Sequence, residues 1–138
     1  MALVLLAGCG GSAPQPERGA DFVEQADAAC AGANLAALGT LTEGGGDLAA
    51  NLREGKRRGD DLATDIARLE APRELRSARA AYVVVISRLA ALSGEAADAV
   101  ARGDQAHVRE VEGIQGPLAQ RGRDLARRMG LTECSPSG

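Results

Sequence analysis

Aromatic side chains are almost missing from this sequence of 138 residues, which has one Phe (Phe22), one Tyr (Tyr82) and no Trp. A hydrophobic core must therefore be built from Ala, Leu, Val and Ile. Strand-favouring residues are also scarce outside the run at 82–86, and alanine is the best helix former. The composition predicts an all-α protein of one domain, long enough to bury a core of its own.

Basic side chains are scarce in the first part of the chain. Residues 1–52 contain six acidic side chains and one basic one, and the whole sequence has 16 basic and 19 acidic residues, a net charge of −3. Proteins that bind nucleic acid neutralise its phosphates with a concentrated basic surface. No part of the sequence has that composition, so we expect no nucleic-acid partner.

Histidine occurs once, at His107, which restricts the catalytic chemistry that the chain could perform. The serines lack a Gly-x-Ser-x-Gly elbow, and the glycines at 44–46 lack the lysine of a phosphate-binding loop. Asp104 and His107 are three residues apart and are weak candidates for metal ligands, but a di-iron bundle needs two Glu-x-x-His motifs and two further Glu. We predict a protein that is not an enzyme and holds no cofactor.

Cysteine is rare as well, and the first of the three cysteines, Cys9, completes the tetrapeptide Leu6-Ala7-Gly8-Cys9. This tetrapeptide resembles the lipobox of bacterial lipoproteins. The resemblance implies that the Cys9 thiol receives a diacylglycerol and that cleavage makes Cys9 the mature N-terminus. The Gly, Ser and Pro residues that follow are typical of a flexible tether. The resemblance thus implies a lipid-anchored protein on the extracytoplasmic side of a cell membrane.

The segment before Cys9 is short for a signal peptide, because only eight residues precede it and none is Lys or Arg. We therefore expect the signal segment 1–8 to be truncated. It is too short to span a bilayer, so membrane contact is expected through the lipid. The predicted organisation continues with the lipidated cysteine and tether at 9–19, a helical bundle at 20–134 and a tail at 135–138.

Hydrophobic periodicity predicts two helices in the first half of the chain. Asp21 and Glu24 form a capping box that opens the first helix, and Gly39 ends it. Asp47 caps the second helix, whose apolar positions follow a heptad pattern: Leu48, Leu52, Gly55, Gly59, Leu62, Ile66 and Leu69. The two glycines in this pattern predict either close packing of a neighbouring helix or a kink.

The third helix has the most regular pattern. Pro72 ends the second helix and begins the third. Apolar side chains then alternate in steps of three and four: Leu75, Ala78, Tyr82, Val85, Leu89, Leu92, Ala96 and Ala99. This regularity outweighs the strand propensity of residues 82–86, so the segment is predicted to be helical.

A fourth helix follows Gly103, with Asp104 as its cap. Its apolar positions are Val108, Val111, Ile114, Leu118, Gly122, Leu125 and Met129. Pro117 predicts a kink within the helix, and Gly130 suits the left-handed position that ends it.

Four amphipathic helices with short connections predict an up-down-up-down four-helix bundle. An array of helical hairpins that needs partners is the alternative, but four such helices can close on themselves, so we expect a monomer. In this topology the first helix begins at the end where the fourth finishes. We therefore predict a disulfide between Cys30 and Cys134, formed in an oxidising compartment. A redox pair or a thiolate metal site is the alternative, although the Cys-x-x-Cys spacing of redox motifs is missing.

Three segments of the chain resemble a loose group of small secreted helical proteins from high-GC bacteria. They are Ala-Asp-Ala-Ala-Cys at 26–30, Leu-Glu-Ala-Pro at 69–72, and Ala-Arg-Arg-Met-Gly-Leu-Thr-Glu-Cys at 126–134. This resemblance implies a shared helical fold and no particular reaction.

Two functional hypotheses follow from the sequence. The first is a lipid-anchored, non-enzymatic module that binds an envelope protein, with the acidic first helix and the charged segment at 56–61 as candidate contact surfaces. The second is a carrier that holds a metal, haem or lipid between its helices, since five glycines on two helices could leave room for a cavity: Gly55, Gly59, Gly113, Gly116 and Gly122.

Overall fold

The computed structural model describes residues 15–42 and 47–135, with side chains at 19–34 and 47–135. Four α-helices follow one another along the chain: α1 Gln15–Thr42, α2 Leu48–Arg68, α3 Arg76–Arg102 and α4 Gln105–Arg128, with a short 3₁₀ helix at Arg73–Leu75. No strand occurs in these residues. The predicted all-α fold of four helices is confirmed, whereas the signal segment, Cys9 and residues 136–138 lie outside the described residues.

The first helix is longer than the sequence pattern predicted. It begins at Gln15 and not after Asp21, and it runs past Gly39 to Thr42. Pro16 lies in its first turn, where proline is tolerated because the N–H groups of that turn have no partner within the helix. The predicted tether therefore overlaps the helix at residues 15–19, and the capping box at Asp21 was wrong.

The third helix was predicted to begin at Pro72, but a 3₁₀ turn follows Pro72 and α3 begins at Arg76. The predicted starts of α2 and α4 are confirmed by their hydrogen bonds. The Asp47 side chain accepts a hydrogen bond from the Ala49 N–H at 3.1 Å, and the Asp104 side chain accepts one from the His107 N–H at 3.1 Å. Between α3 and α4, Gly103 has a φ of 71°, in the left-handed region that glycine enters without steric cost. The sharp reversal at Gly103 and Asp104 places α4 directly against α3.

The helices pack in chain order, with α3 at the centre of the bundle. It contacts α2 on one side and α4 on the other, and α1 packs against α2. The main core cluster lies at the end where α1 begins and α4 finishes, and it includes Phe22, Ala26, Ile66, Ala71, Tyr82, Val85, Leu125, Ala126, Met129 and Leu131. A smaller cluster of Leu92, Ala96 and Val111 lies towards the opposite end. Both aromatic rings thus belong to the main cluster.

The predicted apolar seam of α3 is confirmed, since its residues are buried or half-buried throughout. The other seams contain errors. Leu48 at the start of α2 is 57% exposed, and Ile114 in α4 is 44% exposed. A strict repeat of seven residues drifts around a straight α-helix by about 20° per heptad. Such drift accounts for Leu48, the first position of its seam. Ile114 is the third of seven positions and lies near the middle of α4, and nothing in the structure explains its exposure.

The two glycines of the α2 seam have different surroundings. A Cβ atom placed on Gly59 would lie 2.8 Å from the Cβ of Ala90 in α3, whereas a Cβ on Gly55 would meet nothing within 4 Å. Close packing, one of the two predicted roles, therefore applies at Gly59.

The end of α4 is capped as the sequence predicted. Gly130 has a φ of 79°, its N–H donates to the Arg127 carbonyl, and the Leu131 N–H donates to the Ala126 carbonyl.

Pro117 lies within α4, and the helix continues through it. The kink at Pro117 stays a prediction. Within the described part of the chain, no helix has both the length and the apolar character needed to cross a membrane.

Candidate functional site at the disulfide-linked end of the bundle

A disulfide joins α1 to the segment that follows α4. The sulfur atoms of Cys30 and Cys134 are 1.95 Å apart and their Cα atoms 5.2 Å apart, across a sequence separation of 104 residues. Cys30 is fully buried and Cys134 half-buried. The predicted pairing of these two cysteines is confirmed.

Polar contacts strengthen the same junction. The Asp27 carboxylate accepts hydrogen bonds from the Thr132 N–H at 3.1 Å, the Thr132 hydroxyl at 2.9 Å and the Glu133 N–H at 3.0 Å. One helical turn beyond Cys30, the Asn34 side-chain amide donates to the Glu133 carbonyl at 2.9 Å. Residues 131–135 are thus attached to α1 by one covalent bond and four hydrogen bonds, an arrangement that we call the clasp.

Tyr82 of α3 lies directly beneath the clasp. Its hydroxyl is 3.7 Å from the Cys30 sulfur and, because a disulfide sulfur carries no hydrogen, the hydroxyl is the donor. Only 2% of the residue is exposed. Burial, and secondarily the negative charge of Asp27, raise the pKa of Tyr82 to about 12. The phenol therefore stays neutral over the physiological range and acts as a packing and hydrogen-bonding group.

An interhelical cleft of about 260 Å³ opens beside the clasp, between α1 and α4. Its apolar walls include Leu62, Ile86 and Leu89, and its polar lining includes Tyr82, Asn34 and Arg123. Gly122 of α4 also lines the cleft, and a Cβ there would lie 3.3 Å from a Val85 methyl group. Of the five glycines proposed to create a cavity, Gly122 alone lines this cleft, and Gly113 and Gly116 face open space.

An arginine pocket of about 350 Å³ lies at the same end of the bundle, between the first part of α1 and the α2–α3 connection. It is lined by three arginines, two acidic residues and one aromatic ring: Arg68, Arg73, Arg76, Asp21, Glu70 and Phe22. The Arg76 guanidinium donates to the Ala71 carbonyl at 3.3 Å. Arg79, outside the pocket, donates to the Leu69 carbonyl. These two arginines hold the connection in place.

The other two arginines of the pocket, Arg68 and Arg73, do not hold the α2–α3 connection in place. Among the described residues, Arg68 and Arg73 form no hydrogen bond or ion pair, and both are exposed. Glu70 and Glu74, their acidic neighbours in sequence, form no ion pair with them. Two cationic side chains at this pocket are therefore available to a ligand.

The charged segment at 56–61 is compensated by pairing within α2. Lys56 pairs with Asp60, and Arg57 pairs with Asp61 and with Glu54. Hydrogen bonds from Arg57, and then from Arg58, lower the pKa of Glu54 to about 2. All six charges of this network lie on one helix, so the surface that it presents is close to neutral.

The weak candidate metal ligands have structural roles near the start of α4. Asp104 caps the helix through the His107 N–H, and the His107 ring nitrogen Nδ1 lies 3.1 Å from Glu110 Oε2. Among the described side chains, at 19–34 and 47–135, no group of three or more His, Cys, Asp or Glu is arranged to hold a metal ion.

The three segments that carry the resemblance to secreted helical proteins meet at one end of the bundle. Asp27 and Cys30 contact residues 132–134 in the clasp, and Ala71 packs in the same core cluster as Ala26 and Ala126. The sequence singled these segments out without indicating a contact between Asp27 and Thr132. The one available signal was the position of Asp27 one turn before Cys30, which the disulfide brings next to the C-terminal segment.

Comparisons of the chain with protein-family models, with curated proteins and with solved structures found no match.

Proposed function

We propose that the chain is a lipid-anchored helical-bundle protein of the extracytoplasmic side, which acts as a binding or envelope-associated module and not as an enzyme. The disulfide between Cys30 and Cys134 is the observation that carries this proposal. Structural disulfides form and persist in oxidising compartments and are rare in the cytosol. A covalent bond between α1 and the end of the bundle is therefore the property expected of a protein that functions outside the cytoplasm.

The anchor in this proposal is a lipid on Cys9. Cys9, the last residue of the tetrapeptide Leu6-Ala7-Gly8-Cys9, lies six positions before Gln15, the first described residue of α1. A bundle joined to a lipid by so few residues would stay close to the bilayer surface, since the connecting chain spans at most about 22 Å. Its partners would then be membrane components or envelope proteins within that reach.

A structural role for the polar residues of the clasp supports a non-enzymatic module. The Asp27 carboxylate is engaged by Thr132 and Glu133, and the Asn34 amide by the Glu133 carbonyl. Tyr82, with its raised pKa, holds its proton next to the disulfide. These groups pair with one another and join α1 to the C-terminal segment, which is a structural role.

Mass spectrometry of the protein isolated from its own membrane tests the anchor and the disulfide together. We expect a mass that includes acyl groups, localised to a peptide that begins at Cys9, and two hydrogens fewer than the reduced chain. Cys9→Ser is the matched control and should yield a chain without acyl mass. An unmodified Cys9, or free thiols at Cys30 and Cys134, would contradict the proposal.

A partner on the envelope would need an exposed surface. Asp21 and Glu24 are exposed on α1, whereas Asp27 belongs to the clasp. We expect crosslinked partners to be lost on Asp21→Asn/Glu24→Gln and retained on Lys56→Gln/Asp60→Asn, because the latter pair is already neutralised within α2. Retention of every crosslink in both variants would exclude these two faces as the binding surface.

A second candidate function, a carrier of an apolar ligand, is favoured by the interhelical cleft. Its volume of about 260 Å³ and its walls of Leu62, Ile86 and Leu89 suit a small apolar molecule or part of a longer one. Ala119 also lines the cleft, so Ala119→Leu would fill it, and Ala101→Leu on the exposed end of α3 is the control. Binding of a fluorescent fatty acid that Ala119→Leu abolishes would support a carrier, and equal binding by both variants would refute it.

A further inference from the structure

We propose that the arginine pocket binds the phosphate of an anionic membrane lipid, with Arg68 and Arg73 as its principal cationic contacts. The proposal rests on the lipid anchor proposed above, because that anchor determines which end of the bundle faces the bilayer. It goes beyond the anchor in assigning a second, non-covalent membrane contact to named side chains of the folded domain.

The position of the pocket is the first argument. The pocket lies between the first part of α1 and the connection that joins α2 to α3. Asp21, on its α1 wall, is six residues into the helix, which corresponds to about 9 Å along the helix axis. The pocket is therefore at the end of the bundle nearest to Cys9, and a short connection confines it to the neighbourhood of lipid headgroups. Such confinement raises the effective concentration of the ligand.

The charge state of the pocket is the second argument. Arg68 and Arg73 are exposed and have no partner among the described residues, a property that Arg102 and Arg109 share, but Arg68 and Arg73 line one pocket together with Arg76. Arg76 faces the same pocket and still has donors to spare, because one nitrogen is used for the Ala71 carbonyl. A guanidinium group offers several N–H donors in a plane that matches the oxygens of a phosphate.

The acidic residues of the pocket distinguish between two sources of phosphate. Asp21 and Glu70 line the same cavity as the arginines. Their carboxylates disfavour inorganic phosphate, which carries more than one negative charge at neutral pH, but they can accept hydrogen bonds from hydroxyl groups. A phosphodiester with a hydroxylated headgroup, as in phosphatidylglycerol, satisfies both sets of side chains. We therefore assign the ligand as a lipid headgroup and not as free phosphate.

Vesicle binding by the full chain with Cys9→Ser tests the proposal without a contribution from the anchor. We expect co-sedimentation with vesicles of phosphatidylcholine and phosphatidylglycerol, and little with phosphatidylcholine alone. Arg68→Gln/Arg73→Gln should weaken binding about 30-fold, because each arginine near an anionic surface contributes roughly a five-fold gain in affinity. Neither side chain forms a hydrogen bond or ion pair among the described residues, so thermal unfolding of the variant should match that of the parent chain.

The matched control is Arg102→Gln/Arg109→Gln, which removes two exposed arginines, also without partners among the described residues, from the opposite end of the bundle. It should leave binding within about two-fold, because charges more than a Debye length of about 8–10 Å from the surface are largely screened. An equal loss of vesicle affinity in both double variants would indicate a diffuse electrostatic attraction and would refute the assignment of the arginine pocket as the binding site. Absence of binding to phosphatidylglycerol in the parent chain would overturn it as well.

Two further binding experiments identify the chemical class of the ligand. Calorimetric titration with inorganic phosphate should show no binding. Saturable binding of phosphate alone would mean that the ligand is a soluble anion, which would contradict the assignment of a lipid. Vesicles containing phosphatidylethanol at equal net charge should bind more weakly than those with phosphatidylglycerol, because its headgroup has no hydroxyl to donate to Asp21 and Glu70. Equal binding would contradict the role assigned to those carboxylates. The mass of the Cys9 peptide is measured separately, so failure of the anchor and failure of the pocket give different results.

Discussion

Asp27 and Thr132 are 105 residues apart in sequence and are joined by two hydrogen bonds, one from the Thr132 N–H and one from its hydroxyl. The same carboxylate also accepts a bond from Glu133. Asp27 lies one helical turn before Cys30 on α1, and Thr132 lies two residues before Cys134 in the C-terminal segment. A single carboxylate therefore orients the segment that the disulfide then holds.

Asp27→Ala should destabilise the bundle by about 1–2 kcal/mol, because three hydrogen bonds to a charged carboxylate are lost and the exposed donors of Thr132 and Glu133 turn to water. Urea denaturation followed by circular dichroism measures the change. Glu24→Ala, one turn earlier on the exposed side of the same helix, is the control and should change stability by no more than about 0.5 kcal/mol. Equal effects of the two substitutions would show that Asp27 contributes nothing specific.

Removal of the disulfide should lower stability by up to about 4–5 kcal/mol. The bond closes a loop of 104 residues, and the chain-entropy model assigns an upper value of this size to such a loop. Cys30→Ser/Cys134→Ser should therefore unfold at a lower urea concentration than the oxidised parent. Adding Asp27→Ala to that variant should cost less than it costs the oxidised chain, because the clasp is then already loosened. Strict additivity would indicate that the two contacts act independently.

Gly59 and Gly55 should respond in opposite directions to the same substitution. A Cβ at Gly59 would lie 2.8 Å from the Ala90 Cβ, so Gly59→Ala should destabilise the protein by about 1–3 kcal/mol through overpacking. A Cβ at Gly55 meets nothing, so Gly55→Ala should stabilise α2 by about 0.5–1 kcal/mol. Ala90→Gly should relieve the clash of Gly59→Ala. Similar effects at both glycines would refute the close approach of α2 and α3.

Tyr82 should titrate well above an exposed tyrosine. The sequence has no other Tyr and no Trp, so the ultraviolet absorbance of the phenolate reports this residue alone. We expect a midpoint near pH 12 in the folded protein and near the ordinary value of about 10 in urea. The control is Tyr82→Phe, which should abolish the absorbance change because it has no phenol to ionise.

The same pKa shift predicts how stability depends on pH. Between about pH 10 and 12 the folded protein retains the phenol proton that the unfolded chain releases. The free energy of unfolding should therefore be independent of this group below pH 10 and fall by up to about 3 kcal/mol as the pH rises to 12. A folded-state midpoint near 10, with no such fall, would contradict the burial of the hydroxyl.

Regular hydrophobic spacing made α3 predictable from the sequence. Its seam from Leu75 to Ala99 lies between α2 and α4, so burial on both sides enforces the pattern. The seam of α2 failed at Leu48, the first residue of the helix, where there are fewer neighbours and the heptad drifts from the buried face. The seam of α4 failed at Ile114, near the middle of its helix, and nothing in the structure explains that exposure.

Parts of the site depended on tertiary contacts that no local pattern contains. The pairing of Cys30 with Cys134 followed from topology, because an up-down-up-down bundle brings the start of α1 and the end of α4 together. The bond from Thr132 to Asp27 could not be predicted, since it depends on the exact register between α1 and a segment 105 residues away. The arginine pocket was missed for a similar reason, because Arg68 and Arg73 belong to different elements.

The clasp also determines how tension would pass through the molecule. If one end of α1 is held at a membrane and the chain beyond Cys134 is pulled, force travels along α1 to Cys30, crosses the disulfide and leaves at Cys134. Residues 31–133 are then outside the load path, so α2, α3 and α4 stay mechanically shielded while the bond is intact. Stretching the oxidised protein between these points would extend little more than α1 and the short C-terminal segment, and reduction would release the whole bundle.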